Sequence, residues 1–164
     1  MKTRNPKKYR VYGLGEWGSD VEGLVFSNFE VKDFDPTQYM DFKTAKRMEL
    51  FSQYAVAAAT EAFEDSGLDM EKEDPFRVGV IVSSGVGSMQ ANEREITKMN
   101  EGKKVAPLYI PMMIANMASA NIAIKYHMMG KNTAIVTACA SGSHSIGDAF
   151  KAVKYDEADI MVAG

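Results

Sequence analysis

The sequence holds one cysteine, one tryptophan and two histidines in 164 residues. A single cysteine permits no internal disulfide, and a lone thiol is the usage of a reducing compartment, so a cytoplasmic location is expected. Five prolines and thirteen glycines are too few for a collagen-like or disordered chain. No apolar run approaches the ~20 residues of a membrane-spanning helix, and no membrane association is expected. The basic N-terminus lacks the apolar core of a secretory signal. Neither sign of charge dominates: 19 basic against 22 acidic residues give a net charge of −3, which weighs against a protein built to bind nucleic acid. Two histidines and one cysteine leave few choices for a catalytic centre. What remains is 46% hydrophobic and 25% charged, the balance of a globular domain.

Turn and period signals divide the chain. Met1–Arg10 carries Lys2, Arg4, Lys7, Lys8 and Arg10, the composition of a solvated terminus. Tyr9–Tyr12 reads as a short strand turned by Gly13-Leu14-Gly15, and Glu16–Glu30 has no clear period. After the turn at Asp35-Pro36, Ala45, Met48, Tyr54, Ala55, Ala58, Ala59 and Ala62 predict a helix over Thr44–Asp65, with Gly67 as its C-cap. Arg77–Ser83 and Thr133–Cys139 read as strands covered on both faces, and Asp159–Gly164 opens another. Helices are predicted over Met89–Asn100, from Pro111 to about His127 and ended by Gly130, and over Ser141–Tyr155. Alternation of this kind predicts an α/β fold with a mainly parallel sheet and right-handed crossovers. A final apolar strand with no covering helix suggests a piece of a longer polypeptide.

Chemistry concentrates at Thr137-Ala138-Cys139-Ala140-Ser141-Gly142. A predicted strand runs through small residues into a helix, and Cys139 falls at the junction. There a thiol lies near the free N–H groups and positive end of the helix, both of which favour thiolate. Small neighbours leave room for a substrate. Spacing alone also allows Cys139 to be a buried small apolar residue. His144, five positions on, would lie ~140° around the helix, a poor partner for the thiol and better suited to packing or surface. His127, near a helix end, suits capping. Ser84-Gly85-Val86-Gly87 lacks the Lys-Ser/Thr of a phosphate loop and the third glycine of a dinucleotide fingerprint. Lys43, Lys46 and Arg47, at offsets of three and four, would share one helical face; an ordinary solvated face is the alternative.

The stretch TACASGSHSIGDAFKAV resembles the nucleophile motif of the β-ketoacyl-acyl carrier protein synthases of the elongating type. FDPTQYM, KRMELFSQYAVAAATEAFEDSGL, RVGVIVSSGVGSM, IPMMIANMASANIA and ADIMVAG resemble the same family in order, over about Glu30–Gly164. The resemblance implies a thiolase-like layered α/β fold, with residues 30–164 supplying the N-terminal half and residues 1–29 an abbreviated or altered unit. It implies that Cys139 accepts an acyl chain as a thioester, with its own backbone N–H as the first oxyanion donor. Malonyl-acyl carrier protein would then lose carbon dioxide, and the carbanion would attack the thioester. No metal or organic cofactor is implied. Val86 matches an acyl-pocket residue, and Tyr109 an aromatic that reaches across a dimer. Lys43, Lys46 and Arg47 match a docking face for the acidic carrier protein. The family pairs strands across its two-fold axis through the segment matching Asn132–Cys139.

The two histidines and the lysine that serve decarboxylation in the family lie downstream of the matching part; His127 and His144 are not those residues. The resemblance therefore implies a condensing enzyme of fatty acid biosynthesis, doubtful in activity as this chain alone and paired as a homodimer or with a complementing C-terminal half. The alternatives are a non-catalytic fragment or split subunit acting through protein contacts, and a polyketide ketosynthase.

Overall fold

The computed structural model describes residues 34–164, and residues 35–164 form one compact unit. The expected first strand at Tyr9–Tyr12, the basic terminus and the unit 1–29 lie outside the described residues. In chain order the elements are helices α1 (Phe42–Ala45) and α2 (Leu50–Ser66), strand β1 (Val78–Ile81), helices α3 (Met89–Asn100), α4 (Tyr109–Met113) and α5 (Met117–Tyr126), strand β2 (Asn132–Thr133), helix α6 (Ser141–Lys154) and strand β3 (Ile160–Ala163). Short 3₁₀ turns occupy Pro36–Gln38, Pro75–Arg77 and Ala138–Ala140.

The sheet is parallel throughout, in the order β2-β1-β3, with Val80 opposite Asn132 and Val162. Every residue of the central strand β1 is buried, as its unbroken apolar run predicts. Val78 and Val80 point into one core with Val56, Ala59 and Phe63 of α2 and Ile122 and Ala123 of α5. In α2 the buried line is Ser52, Val56, Ala59 and Phe63, spaced at the helical period; Tyr54, Ala58 and Ala62, which helped to predict the helix, are exposed. The Phe63 and Tyr126 rings stack at 4.0 Å and close that core. Helix α6 packs on β1 and β3. Ser141, Ser145, Ala149 and Ala152 are its buried residues, small enough for close approach.

Local chemistry explains the ends. Gly67 stops α2 in the left-handed region at φ 66°, as expected of a glycine cap. His127, not Gly130, ends α5: it takes φ 55°, and both its N–H and that of Met128 return to the Ala123 carbonyl. That is the capping role expected of it. Gly130 serves a different purpose, because a β-carbon there would lie 2.6 Å from the Val78 carbonyl oxygen.

Three expectations need correction. The predicted helix Thr44–Asp65 is broken: α1 ends at Ala45 and α2 begins at Leu50, with Glu49 extended at ψ 162°. Glu49 leaves the helical path to meet Arg94 at 2.5 Å and Ser88 Oγ at 3.3 Å, and Gln53 Nε2 donates to the freed carbonyls of Ala45 and Met48. The predicted helix from Pro111 is also two helices, with Pro111 at the third position of α4. The Met113 carbonyl accepts from Ser88 N–H instead of continuing the helix, and Ile114 turns extended. Finally, the predicted buried strand Thr133–Cys139 shrinks to Asn132–Thr133, which is exposed, as is Val136. From Ile135 the backbone turns to a side chain: its N–H donates to Ser83 Oγ at 2.8 Å, in place of a strand partner.

Candidate functional site

In a parallel sheet the carboxyl ends of the strands gather at one edge, where ligands of open α/β folds bind. Here that edge converges on Cys139. Beyond β1, Ser83 N–H donates to the carbonyl of Gly164, the residue after β3, at 3.0 Å. A β-carbon on Gly142 would lie 3.6 Å from the Gly164 carbonyl carbon, and one on Gly85 would lie 3.6 Å from the Ala138 Cα. The ends of β1, β3 and the segment leaving β2 therefore meet where α6 begins.

Cys139 sits in the 3₁₀ turn Ala138–Ala140, two residues before α6, with a free and exposed thiol. Exposure removes the alternative of a buried apolar residue. The turn is strained: Ala138 holds φ 51°, the left-handed region that costs a residue with a β-carbon ~1 kcal/mol or more. Among the described residues the Cys139 N–H has no backbone hydrogen-bond partner. The arrangement is an elbow between the segment leaving β2 and α6 that presents an exposed thiol, a backbone N–H and the start of a 14-residue helix together. His144 Nδ1 shares a 2.8 Å hydrogen bond with Thr137 Oγ1, two residues before Cys139.

Val86 is 66% exposed on the loop whose Gly85 lies against Ala138. The same loop is locked to α4. Gly87 has φ 72°, and Ser88 N–H donates to the Met113 carbonyl at 3.0 Å. Tyr109, at the start of α4, is half-buried and donates its hydroxyl to Asn92 Oδ1 at 2.5 Å. Val86 and Tyr109 thus lie on elements joined to each other and, through Gly85, to the elbow. Lys43, Lys46 and Arg47 stand apart from it. All three are exposed, but only Lys43 lies within α1; Lys46 follows it with its Nζ 4.4 Å from the centre of the Phe42 ring. A cavity of about 580 Å³ runs between the end of α2 and β3, lined by Phe63, Leu68 and Met161 among others, and none of the expected site residues borders it. It is a groove along the open edge of the sheet. Among the described residues no group of three or more His, Cys, Asp or Glu is placed to hold a metal, and no helix is long and apolar enough to cross a membrane.

A second cluster, which periodicity could not reveal, braces the helices near the site. Buried Glu95 of α3 accepts from Lys98 Nζ at 2.7 Å, from Arg94 Nε at 3.2 Å and from Ala106 N–H at 2.8 Å. The Lys98 ammonium and the Ala106 amide hold its carboxyl down at about 2, and Arg94 adds to the effect. Arg94 continues to Glu49, and Glu49 to Ser88, tying α3 to the start of α2 and to the loop that carries Val86.

A parallel sheet that carries a cysteine on a strained elbow at its carboxyl edge is the construction of the thiolase-like proteins. Fold comparison agrees: the ketosynthase of a type II polyketide synthase, solved with its acyl carrier protein and bound to a hexaketide, superposes with a TM-score of 0.76 at 25% identity, over 82% of this chain and 39% of that one. The chain belongs to the β-ketoacyl synthase family, whose N-terminal domain (Beta-ketoacyl synthase, N-terminal domain) matches residues 6–164. The 3-oxoacyl-[acyl-carrier-protein] synthase 2 of Vibrio harveyi is 43% identical over 153 residues, covering 88% of this chain and 37% of that protein. The enzyme of the same name from Coxiella burnetii is 41% identical over 137 residues, 82% of this chain and 33% of that protein. This chain thus spans about a third of the length of these relatives.

Proposed function

We propose that this chain supplies the acyl-accepting half of a decarboxylative condensing enzyme of fatty acid biosynthesis. The observation that carries the reading is Cys139 itself: an exposed thiol on a strained elbow, with an open backbone N–H, at the start of a long helix. The Cys139 thiolate attacks the thioester carbonyl of an acyl-acyl carrier protein. The tetrahedral oxyanion is met by the Cys139 N–H, the carrier thiolate leaves, and the chain is held as an enzyme thioester. Malonyl-acyl carrier protein then loses carbon dioxide. Its carbanion forms the new carbon–carbon bond at the thioester carbonyl and releases the Cys139 thiolate. The groups that promote decarboxylation belong to the part of the family lying downstream of the segment matched here.

Val86 lines the acyl pocket, and Tyr109 reaches across a dimer into the pocket of a second subunit. Exposed Lys43, Lys46 and Arg47 dock the acidic carrier protein. The unpaired thiol supports a cytoplasmic location. Fatty acid rather than polyketide synthesis is supported by 43% identity to a synthase 2 against 25% to a polyketide ketosynthase. A second reading, a split subunit acting through protein contact, is favoured by one observation. Helix α6 exposes Ile146, Phe150 and Val153 in a line, a stripe suited to a homodimer or a complementing C-terminal half. The test is single-turnover incubation of the chain with acyl- and malonyl-acyl carrier protein. Acyl-enzyme should accumulate without 3-oxoacyl product; product formation by the chain alone would overturn the division of labour.

A further inference from the structure

Four backbone groups around the elbow are joined through three serine hydroxyls whose hydrogens can be assigned. Ser145 is fully buried and has one hydroxyl hydrogen, which goes to the Ser141 carbonyl at 2.9 Å. The 2.6 Å contact between Ser145 Oγ and Ser83 Oγ must then be donated by Ser83. Ser83 Oγ in turn accepts from the Ile135 N–H at 2.8 Å. The result is a one-way chain, Ile135 N–H to Ser83 to Ser145 to the Ser141 carbonyl, in which every donor is used once. Ser141 is also buried, and its own hydroxyl straddles the strained residue. It accepts from Thr137 N–H at 2.9 Å and donates to the Ala138 carbonyl at 2.7 Å. Those two groups flank the φ 51° torsion of Ala138, the residue before Cys139.

A left-handed alanine persists only where its surroundings over-determine it. We propose that Ser141, backed by Ser145 and Ser83, is the positioning residue for the reaction at Cys139: it clamps the backbone on either side of Ala138 and so fixes the turn from which the thiol accepts the acyl chain. The proposal rests on the reading of Cys139 as acyl acceptor. It explains why two serines one helical turn apart face the elbow where α6 otherwise buries alanine, and why a serine follows β1 beside them. Ser141 does not touch the reacting atoms; it acts through the backbone of Thr137 and Ala138.

The test compares wild type with Ser141→Ala and Ser83→Ala on three readouts: amide hydrogen exchange, acyl transfer from octanoyl-acyl carrier protein to Cys139, and alkylation of the same thiol by iodoacetamide. A lost hydrogen bond to a buried hydroxyl corresponds to about tenfold in rate. Ser141→Ala should therefore speed exchange at Thr137 about tenfold and slow acyl transfer by a similar factor, while alkylation, which needs no oriented carbonyl, stays within about twofold. Ser83→Ala should speed exchange at Ile135 and slow acyl transfer less. The proposal is overturned if either variant leaves exchange and acyl transfer at the wild-type rates, or if acyl transfer and alkylation fall in step. A wild-type chain that takes up no acyl group would overturn the acyl-acceptor reading instead, and exchange at Thr137 and Ile135 would then decide the clamp on its own.

Discussion

Gly87 lies so close to Met113 that a β-carbon on it would sit 2.1 Å from the Met113 carbonyl oxygen. That carbonyl is fixed because it accepts from Ser88, so neither partner can retreat without breaking the junction of the Val86 loop with α4. With φ 72° added, Gly87→Ala should cost about 3 kcal/mol or more in urea unfolding. Gly85→Ala meets only ordinary contact at 3.6 Å and should cost less than ~1 kcal/mol. Equal costs would show that the loop is not braced as described.

Glu95 sets part of the acid stability. Its folded carboxyl is held at about 2, below its ordinary value, by Lys98 and the Ala106 amide. A depressed carboxyl stabilises the fold fully above the ordinary carboxylate range, and that stabilisation is lost as pH falls toward 2. Between those limits the urea midpoint of the wild type should drop more steeply than that of Glu95→Gln. Asp41, whose carboxyl is lowered by Thr44, leaves a residual slope in both. Parallel profiles would remove Glu95 from the account.

Much of the fold is legible in the sequence where the cause is local. The α3 helix has the bounds its polar, helix-prone run predicts, Gly67 caps α2, and the all-apolar β1 is central. The breaks at Lys46–Glu49 and Ile114–Asn116 are not legible, because distant partners impose them: Arg94 draws Glu49 out, and Ser88 takes the Met113 carbonyl. Periodicity cannot see such partners. The same holds at the site. Cys139 announces itself by its small neighbours and the following helix, whereas the serine clamp depends on Ser83 lying 62 positions from Ser145. The only available signal was the spacing of Ser141 and Ser145 by one helical turn.

The basic residues around α1 make a charge prediction. Replacing Lys43, Lys46 and Arg47 together with glutamate should weaken carrier-protein binding by about tenfold or more at low salt, and less at high salt. All three are exposed, so the fold should be unaffected in circular dichroism. Unchanged affinity would remove this face as the docking site.

The exposed stripe of α6 predicts self-association of the isolated chain. Phe150 and Ile146 are 63% and 58% exposed. In size-exclusion chromatography the chain should elute well above monomer size, and Ile146→Glu with Phe150→Glu should move it toward monomer. A wild-type monomer would contradict an unpaired interface there.

The proposed function turns on the chemistry of Cys139. The most direct measurement is intact-mass and peptide mass spectrometry of the chain after brief exposure to octanoyl-acyl carrier protein. One octanoyl group per chain is expected, localised to Cys139, formed faster than on a free thiol and absent from Cys139→Ala. No adduct on the wild type, or an adduct formed no faster than on a free thiol, would contradict it.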